Sequence, residues 1–307
     1  MREENKRIVE PFNEIYTHDC FMNTLLCAAK HYELDYPMLT LNKGYSYSID
    51  GEKLSGHSVI LFPIDELTQA IGLKIDKEKD CIENWREEYR ILIERGGIII
   101  APVDDYYNPL RVDAYKKEHL PHYILIYDMD NSNEILSVIE SRYRTTVSYK
   151  NMEIRYDDYE KSHFQTDTLY KYIYRKNKSC IKKTYINEYL HNSIQLTEQS
   201  VVNLKEYIRY LSVNGIPDIK TWLMNMNDIC NQVKVERYVF EKVFYCSELF
   251  NIAADIYQTW YLLRTRVAKL SMLNQSDNIV SKIISYLEKI EKLEKDKVRA
   301  YPTLEAK

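Results

Sequence analysis

No run of eighteen apolar residues occurs in the 307-residue chain, so the sequence offers no membrane-spanning helix. Its first residues, Met1-Arg2-Glu3-Glu4-Asn5-Lys6-Arg7, lead into no apolar core of the kind a secretory leader carries, and a soluble cytoplasmic protein is expected. Charge of one sign is scarce as well: 42 basic against 46 acidic residues leave a net charge of −4, which argues against a general nucleic-acid binder. Cys20, Cys27, Cys81, Cys180, Cys230 and Cys246 are scattered without a CxxC pair, a pattern of reduced thiols rather than of a disulfide scaffold or a zinc site. Glycine-rich phosphate loops, GxSxG elbows and HExxH helices are missing, which removes the commonest nucleotide, serine-hydrolase and zinc-hydrolase readings. No metal and no internal repeat is expected.

What the chain does carry is a helix with a cysteine at its start. Between Tyr16 and Tyr32 the apolar residues Phe21, Met22, Leu25, Leu26, Ala29 and Tyr32 recur at three- and four-residue spacing, the period of an amphipathic helix with one face in the core. Asp19 suits the N-cap, which puts Cys20 in the first turn. Unpaired backbone N–H groups and the helix dipole favour negative charge there, so Cys20 is a candidate nucleophile. A free cysteine is equally at home as a small buried hydrophobe, so the catalytic reading needs a base.

Further along, residues 33–56 read as irregular, punctuated by Pro37, Gly44, Gly51 and Gly56. Ser58–Phe62 reads as a short buried strand or helix closed by Pro63, and helices are expected over 64–72 and 81–95. The unbroken apolar run Ile98–Val103 is typical of a strand covered on both faces. A long loop, 104–121, follows it; such loops are more often functional than incidental. Residues 122–128 and 134–140 read as a hairpin about the polar turn 129–133, with further strands around 143–150 and 168–174. From about 184 onward the period is helical, over 196–211, 219–233, 235–273 and 279–293, the last as the edge of a bundle rather than the alternative of a coiled-coil arm. The chain thus reads as an α+β domain, 1–180, followed by an all-helical domain, 181–307.

His122 opens a strand that is apolar on both faces, which places an imidazole at the rim of a buried sheet. If 129–133 is the whole turn, Asp128 faces Glu134 and His122 lies directly opposite Glu140, with Cβ atoms roughly 4.5–5.5 Å apart. Glu140 then accepts from one imidazole nitrogen and the other is left for a thiol, the nucleophile, base and orienting-acid logic of cysteine hydrolases and acyltransferases. His57, which also precedes an apolar run, competes for the role of base; His18 and His119 are lesser rivals, and His31 lies three turns along the Cys20 helix, out of reach.

The order of these pieces carries a resemblance. Cys20 at a helix start, Ile98-Ile99-Ile100-Ala101-Pro102-Val103-Asp104-Asp105-Tyr106-Tyr107, Leu120-Pro121-His122-Tyr123-Ile124-Leu125-Ile126-Tyr127-Asp128 and Val138-Ile139-Glu140 together resemble the N-terminal domain of the BtrH-like butirosin biosynthesis proteins, over roughly residues 12–145. The resemblance implies a papain-like fold akin to the C39 peptidases, with Cys20 as nucleophile, His122 as base and Glu140 where relatives usually carry Asp or Asn. C39 peptidases place a glutamine six residues before the cysteine as an oxyanion donor. Here that position is Glu14, whose ionised carboxylate only accepts, and the nearest amide is Asn13.

The implied activity is acyl transfer in specialised-metabolite (antibiotic) biosynthesis, from a thioester on the phosphopantetheine of an acyl carrier protein, through a Cys20 acyl-enzyme, to a small-molecule amine. No bound cofactor is implied. Loop residues Asp104, Asp105, Tyr106 and Tyr107 are candidates for binding a cationic acceptor. The densest basic cluster, Arg175, Lys176, Lys178, Lys182 and Lys183, is the candidate docking surface for an acidic carrier. Two other functions compete: a C39-like cysteine peptidase or amidase using the same three residues, and a noncatalytic scaffold in which Cys20 is core.

Overall fold

The computed structural model describes residues 8–17, 19–143, 148–166, 170–177, 183–216, 218–273 and 279–301. In chain order the first elements are α1 (Cys20–His31), a 3-10 segment (Tyr36–Asn42), β1 (Lys43–Asp50), β2 (Lys53–Ile60), α2 (Ile64–Ile71), β3 (Leu73–Lys79) and α3 (Trp85–Glu94). Next come β4 (Ile98–Asp104), β5 (Pro121–Asp130), β6 (Ile135–Ser141), β7 (Tyr149–Arg155), α4 (Tyr156–His163) and β8 (Tyr170–Lys176). Four long helices follow: α5 (Lys183–Asn214), α6 (Ile219–Lys242), α7 (Ser247–Leu273) and α8 (Ile279–Ala300). A sheet-containing part therefore precedes a helical one.

Two compact units share the chain, Met1–Leu39 with Ile64–Ile181, and Thr40–Pro63 with Lys182–Lys307. This corrects the expectation of a continuous first domain over 1–180: the β1–β2 hairpin, expected to be irregular, groups with the helices. Tyr47 and Ile49 alternate with serines along β1, and β1 packs on α5 while β2 packs on α6. The hairpin is held there by Tyr47 N donating to Ser200 Oγ (3.0 Å) and by Asn225 Nδ2 donating to Leu54 O (3.2 Å). Gly44, a breaker in the sequence, lies close against Leu196 of α5, whose side chain would have to shift to make room for a Cβ there. The core of this unit joins Tyr47 and Leu54 to Leu204 and Tyr207 of α5, Trp222 and Ile229 of α6, Trp260 of α7 and Leu287 of α8.

The first unit is built on a six-stranded antiparallel sheet of order β3-β8-β4-β5-β6-β7. β4 is central and buried from Ile98 to Val103, as its unbroken apolar run requires. Alternate residues Ile99, Ala101 and Val103 of β4 and Ile124 and Ile126 of β5 share a core with Trp85 and Tyr89 of α3 and Tyr156 and Tyr159 of α4. α1 packs on β5 and β4, where Phe21 meets Tyr123 edge-on at 5.1 Å between ring centroids. The strand β3, mostly charged (Leu-Lys-Ile-Asp-Lys-Glu-Lys), and the short α4 escaped the sequence pattern.

A buried polar knot ties β8 to α3 and α4. Lys171 Nζ reaches Asp80 and Glu88 (2.6 Å to Glu88), and Asp80 also meets His163 Nε2 at 2.7 Å and the Tyr89 hydroxyl at 2.6 Å. Burial works against the charge on Asp80, yet the bonds from His163, Lys171 and Tyr89 hold its carboxyl below the usual range. Removing one partner of such a buried pair leaves the other uncompensated. Lys171→Met is therefore expected to destabilise the first unit by about 3–5 kcal/mol, measured by chemical denaturation; a loss under about 1 kcal/mol would show that the knot is not needed.

Candidate active site

α1 begins where its sequence places the cap. Asp19 Oδ1 accepts from Met22 N at 3.1 Å, and Cys20, half-buried, is the first helical residue. The helix provides no acceptor for the N–H groups of Cys20 and Phe21, which therefore remain as donors beside the sulfur. One turn on, Asn23 is fully buried, and its Oδ1 accepts from Thr17 Oγ1 (3.1 Å) and Thr17 N (3.4 Å), fastening the segment before the helix.

His122 and Glu140 come together through a register other than the expected one. The turn is shorter than 129–133, and the ladder runs Asp130↔Ile135, Met129↔Leu136, Asp128↔Ser137 and then Ile126↔Val138, Leu125↔Ile139. Tyr127 is the extra residue of a β-bulge. Continued outward, this register sets Glu140 opposite Ile124, so His122 and Glu140 are diagonal rather than direct partners, a separation of roughly 7–8 Å. Without the bulge Glu140 would fall opposite Leu125 and face away from His122. The long glutamate side chain spans the diagonal, and its Oε1 lies 2.9 Å from His122 Nε2. Glu140 is 0 % exposed and accepts further bonds from Ser141 N (2.6 Å) and Asn108 Nδ2 (3.1 Å).

The Cys20 thiol interacts with the same imidazole. Burial opposes a charge on His122, but the Glu140 carboxylate, the interaction with Cys20 and the nearby Asp105 carboxylate outweigh it and raise the imidazole to about 10. His57, the rival base, is exposed on the β1–β2 hairpin of the other unit, and His119 is exposed and bonded to Asp104. His18 lies outside the described residues.

Arg111, in the loop after β4, is the residue that sequence reasoning missed. It is 1 % exposed, and its Nη1 stands 3.1 Å from His122 Nε2, 3.3 Å from His122 Nδ1, 3.3 Å from Asp105 Oδ2 and 3.9 Å from Glu140 Oε1. Asp105, His122 and Glu140 present ligand atoms within 4.8 Å of one another, a donor set of metal-binding type. The guanidinium nitrogen already stands among those atoms, so the set accepts a metal only if a buried cation is expelled. Two cations thus face two carboxylates. Burial pushes the Asp105 carboxyl up to about 6 against the pull of His122 and Arg111. No short motif marks Arg111; the available signal was that an acidic pair in a long loop needs a counter-charge.

Other expected site residues have different work. Asn13 is fastened to the β7 backbone: Nδ2 donates to Tyr149 O and Oδ1 accepts from Tyr149 N, both at 2.9 Å. Asp105 is buried against Arg111 and is not free to hold a cationic acceptor. Asp104 closes the loop on itself, accepting from Tyr106 N (3.0 Å) and Leu120 N (3.3 Å) and meeting His119 Nδ1 at 2.7 Å. Tyr106 stacks on His119 at 4.1 Å and meets Tyr107 edge-on, a half-exposed aromatic group. The basic cluster is divided: Arg175 and Lys176 are successive residues of β8 and so point to opposite faces of the sheet, Lys183 opens α5 in the other unit, and Lys178 and Lys182 lie outside the described residues.

A comparison with protein-family models gave no match, and neither did one with curated protein sequences.

The diagonal geometry generates an unusual expectation. Glu140→Asp, conservative in charge, withdraws the carboxylate by one methylene and leaves His122 unsupported, as Glu140→Gln does. By NMR the wild-type imidazole should stay protonated up to about pH 10, whereas both variants should titrate about one unit or more lower. The sign of the linkage follows: the pair contributes its full stability below the unfolded imidazole value of 6.5 and loses it as pH rises through about 10. An Asp variant that titrates like wild type would show that the diagonal reach is not what matters.

Proposed function

We propose that the protein is a cysteine-dependent acyltransferase that takes an acyl group from a carrier-protein thioester and passes it to an amine acceptor in specialised metabolism. The observation that carries this reading is the Cys20 thiol at a helix start, interacting with an imidazole that Glu140 holds at 2.9 Å. The resemblance of residues 12–145 to the BtrH-like domain supplies the donor and acceptor classes. A papain-like fold for the first unit belongs to the same proposal, supported by a cysteine-bearing helix packed on an antiparallel sheet that carries the histidine and the acid.

In this mechanism the Cys20 sulfur, its proton on His122, attacks the thioester carbonyl carbon. A C–S bond forms as the carbonyl π pair moves onto oxygen, and the N–H groups at the start of α1 face that oxyanion. Collapse re-forms the carbonyl and expels the pantetheine sulfur, which leaves with the proton from His122. The acceptor amine then attacks the Cys20 thioester and gives its proton to the neutral imidazole, and collapse of the second oxyanion releases the amide and restores the Cys20–His122 pair. Water in place of the amine would make the same machinery a hydrolase.

The test uses the full chain with an acyl-loaded carrier protein, or with a small acyl thioester in its place. Wild type should gain one acyl mass on Cys20, Cys20→Ala none, and His122→Asn should acylate about 10²–10⁴-fold more slowly. Added amine should discharge the adduct as amide faster than buffer discharges it as acid. A Cys20→Ala protein that transfers as well as wild type would remove the catalytic reading, and discharge to acid alone would turn it into the hydrolase.

A further inference from the structure

If Asn13 is not an oxyanion donor, its two bonds still serve the site, because the backbone they grip carries Tyr149. That residue opens β7 next to the strand bearing Glu140 and is 4 % exposed. Its hydroxyl lies 3.4 Å from Asn23 Nδ2. Since Asn23 Oδ1 is occupied by Thr17 N and Oγ1, the orientation of the Asn23 amide is decided: Nδ2 donates and the phenol oxygen accepts. The phenol's own proton is then left over, and among the described residues no acceptor meets it. Asn23 follows Cys20 by three residues, so the two side chains are neighbours on one face of α1, and the hydroxyl interacts electrostatically with both Cys20 and Glu140. A buried donor with a spare proton has thus been fixed from two sides beside a nucleophile.

We propose that the Tyr149 O–H is the side-chain donor to the oxyanion that forms when Cys20 is acylated. This rests on the acyl-enzyme reading. The phenol suits that role, since burial and then the neighbouring Glu140 carboxylate push it well above its ordinary value, so it stays neutral and able to donate across the working pH range. Among the described residues it has no ground-state acceptor, so it gains its bond as negative charge develops on the carbonyl oxygen, the condition for lowering a barrier rather than merely tightening binding.

Tyr149→Phe keeps the ring and removes only the O–H. Acyl transfer from a small thioester should fall about 10²-fold in kcat with KM little changed, while alkylation of Cys20 by iodoacetamide, which forms no oxyanion, should proceed at the wild-type rate. Trifluorotyrosine at position 149 provides a second reading: its more acidic phenol should support transfer near neutrality and fail at high pH, a limb absent from the Phe variant. Transfer by Tyr149→Phe within about threefold of wild type overturns the proposal, as does equal slowing of transfer and alkylation, which would mark a structural role. Full transfer by Tyr149→Phe beside none by Cys20→Ala rejects the phenol and keeps the acyl-enzyme.

Discussion

A single bulge residue decides whether this sheet has a site. Tyr127 adds one position to β5, and that position turns Glu140 from the far face of the sheet onto the face of His122. The pairing it creates is diagonal, so the acid must be long enough to cross between non-opposed positions. A glutamate at position 140 is the physical complement of that geometry. Everything described around the sulfur depends on this: the imidazole is charged because Glu140 reaches it, and it is turned because Glu140 holds Nε2.

Burying a carboxylate and an imidazolium together is costly unless every remaining charge and lone pair finds a partner. The unit meets that cost with a second pair, Arg111 and Asp105, and with neutral donors from Asn108 and the Ser141 backbone. Such a cluster is stiff, because no member moves without stranding another. It also fills with protein the space that three metal-type ligands would otherwise enclose. The loop between β4 and β5 is accordingly part of the site's interior, contributing Asp105, Asn108 and Arg111 from its first half.

Asn13 and Tyr149 illustrate how a role and a residue become separated. The sequence places an amide near the position where a donor is wanted, and in the structure that amide instead fastens the backbone of a tyrosine arriving from 136 residues away. The segment before α1 is thus sewn to β7 at the same point where β7 brings a hydroxyl to α1.

The periodicities of the chain by themselves determined the α1 helix with its Asp19 cap and Cys20 at its start, the buried strand Ile98–Val103, the hairpin, and the run of long helices, because each is written in a local pattern of apolar residues. Local patterns also selected His122 and Glu140, although the path to their pairing assumed 129–133 as the turn and a ladder without a bulge, and so a direct rather than a diagonal pair. The β1–β2 hairpin was illegible, since its glycines read as breakers, and β3, largely charged on one face, has no apolar alternation strong enough to announce it. Arg111 and Tyr149 carry no motif at all, and Asp105 stands out only as one of an acidic loop pair. Their importance arises from where the bulge, the loop and the β7 edge bring them, and a register shift of one residue is invisible in sequence while reversing the face of every side chain beyond it.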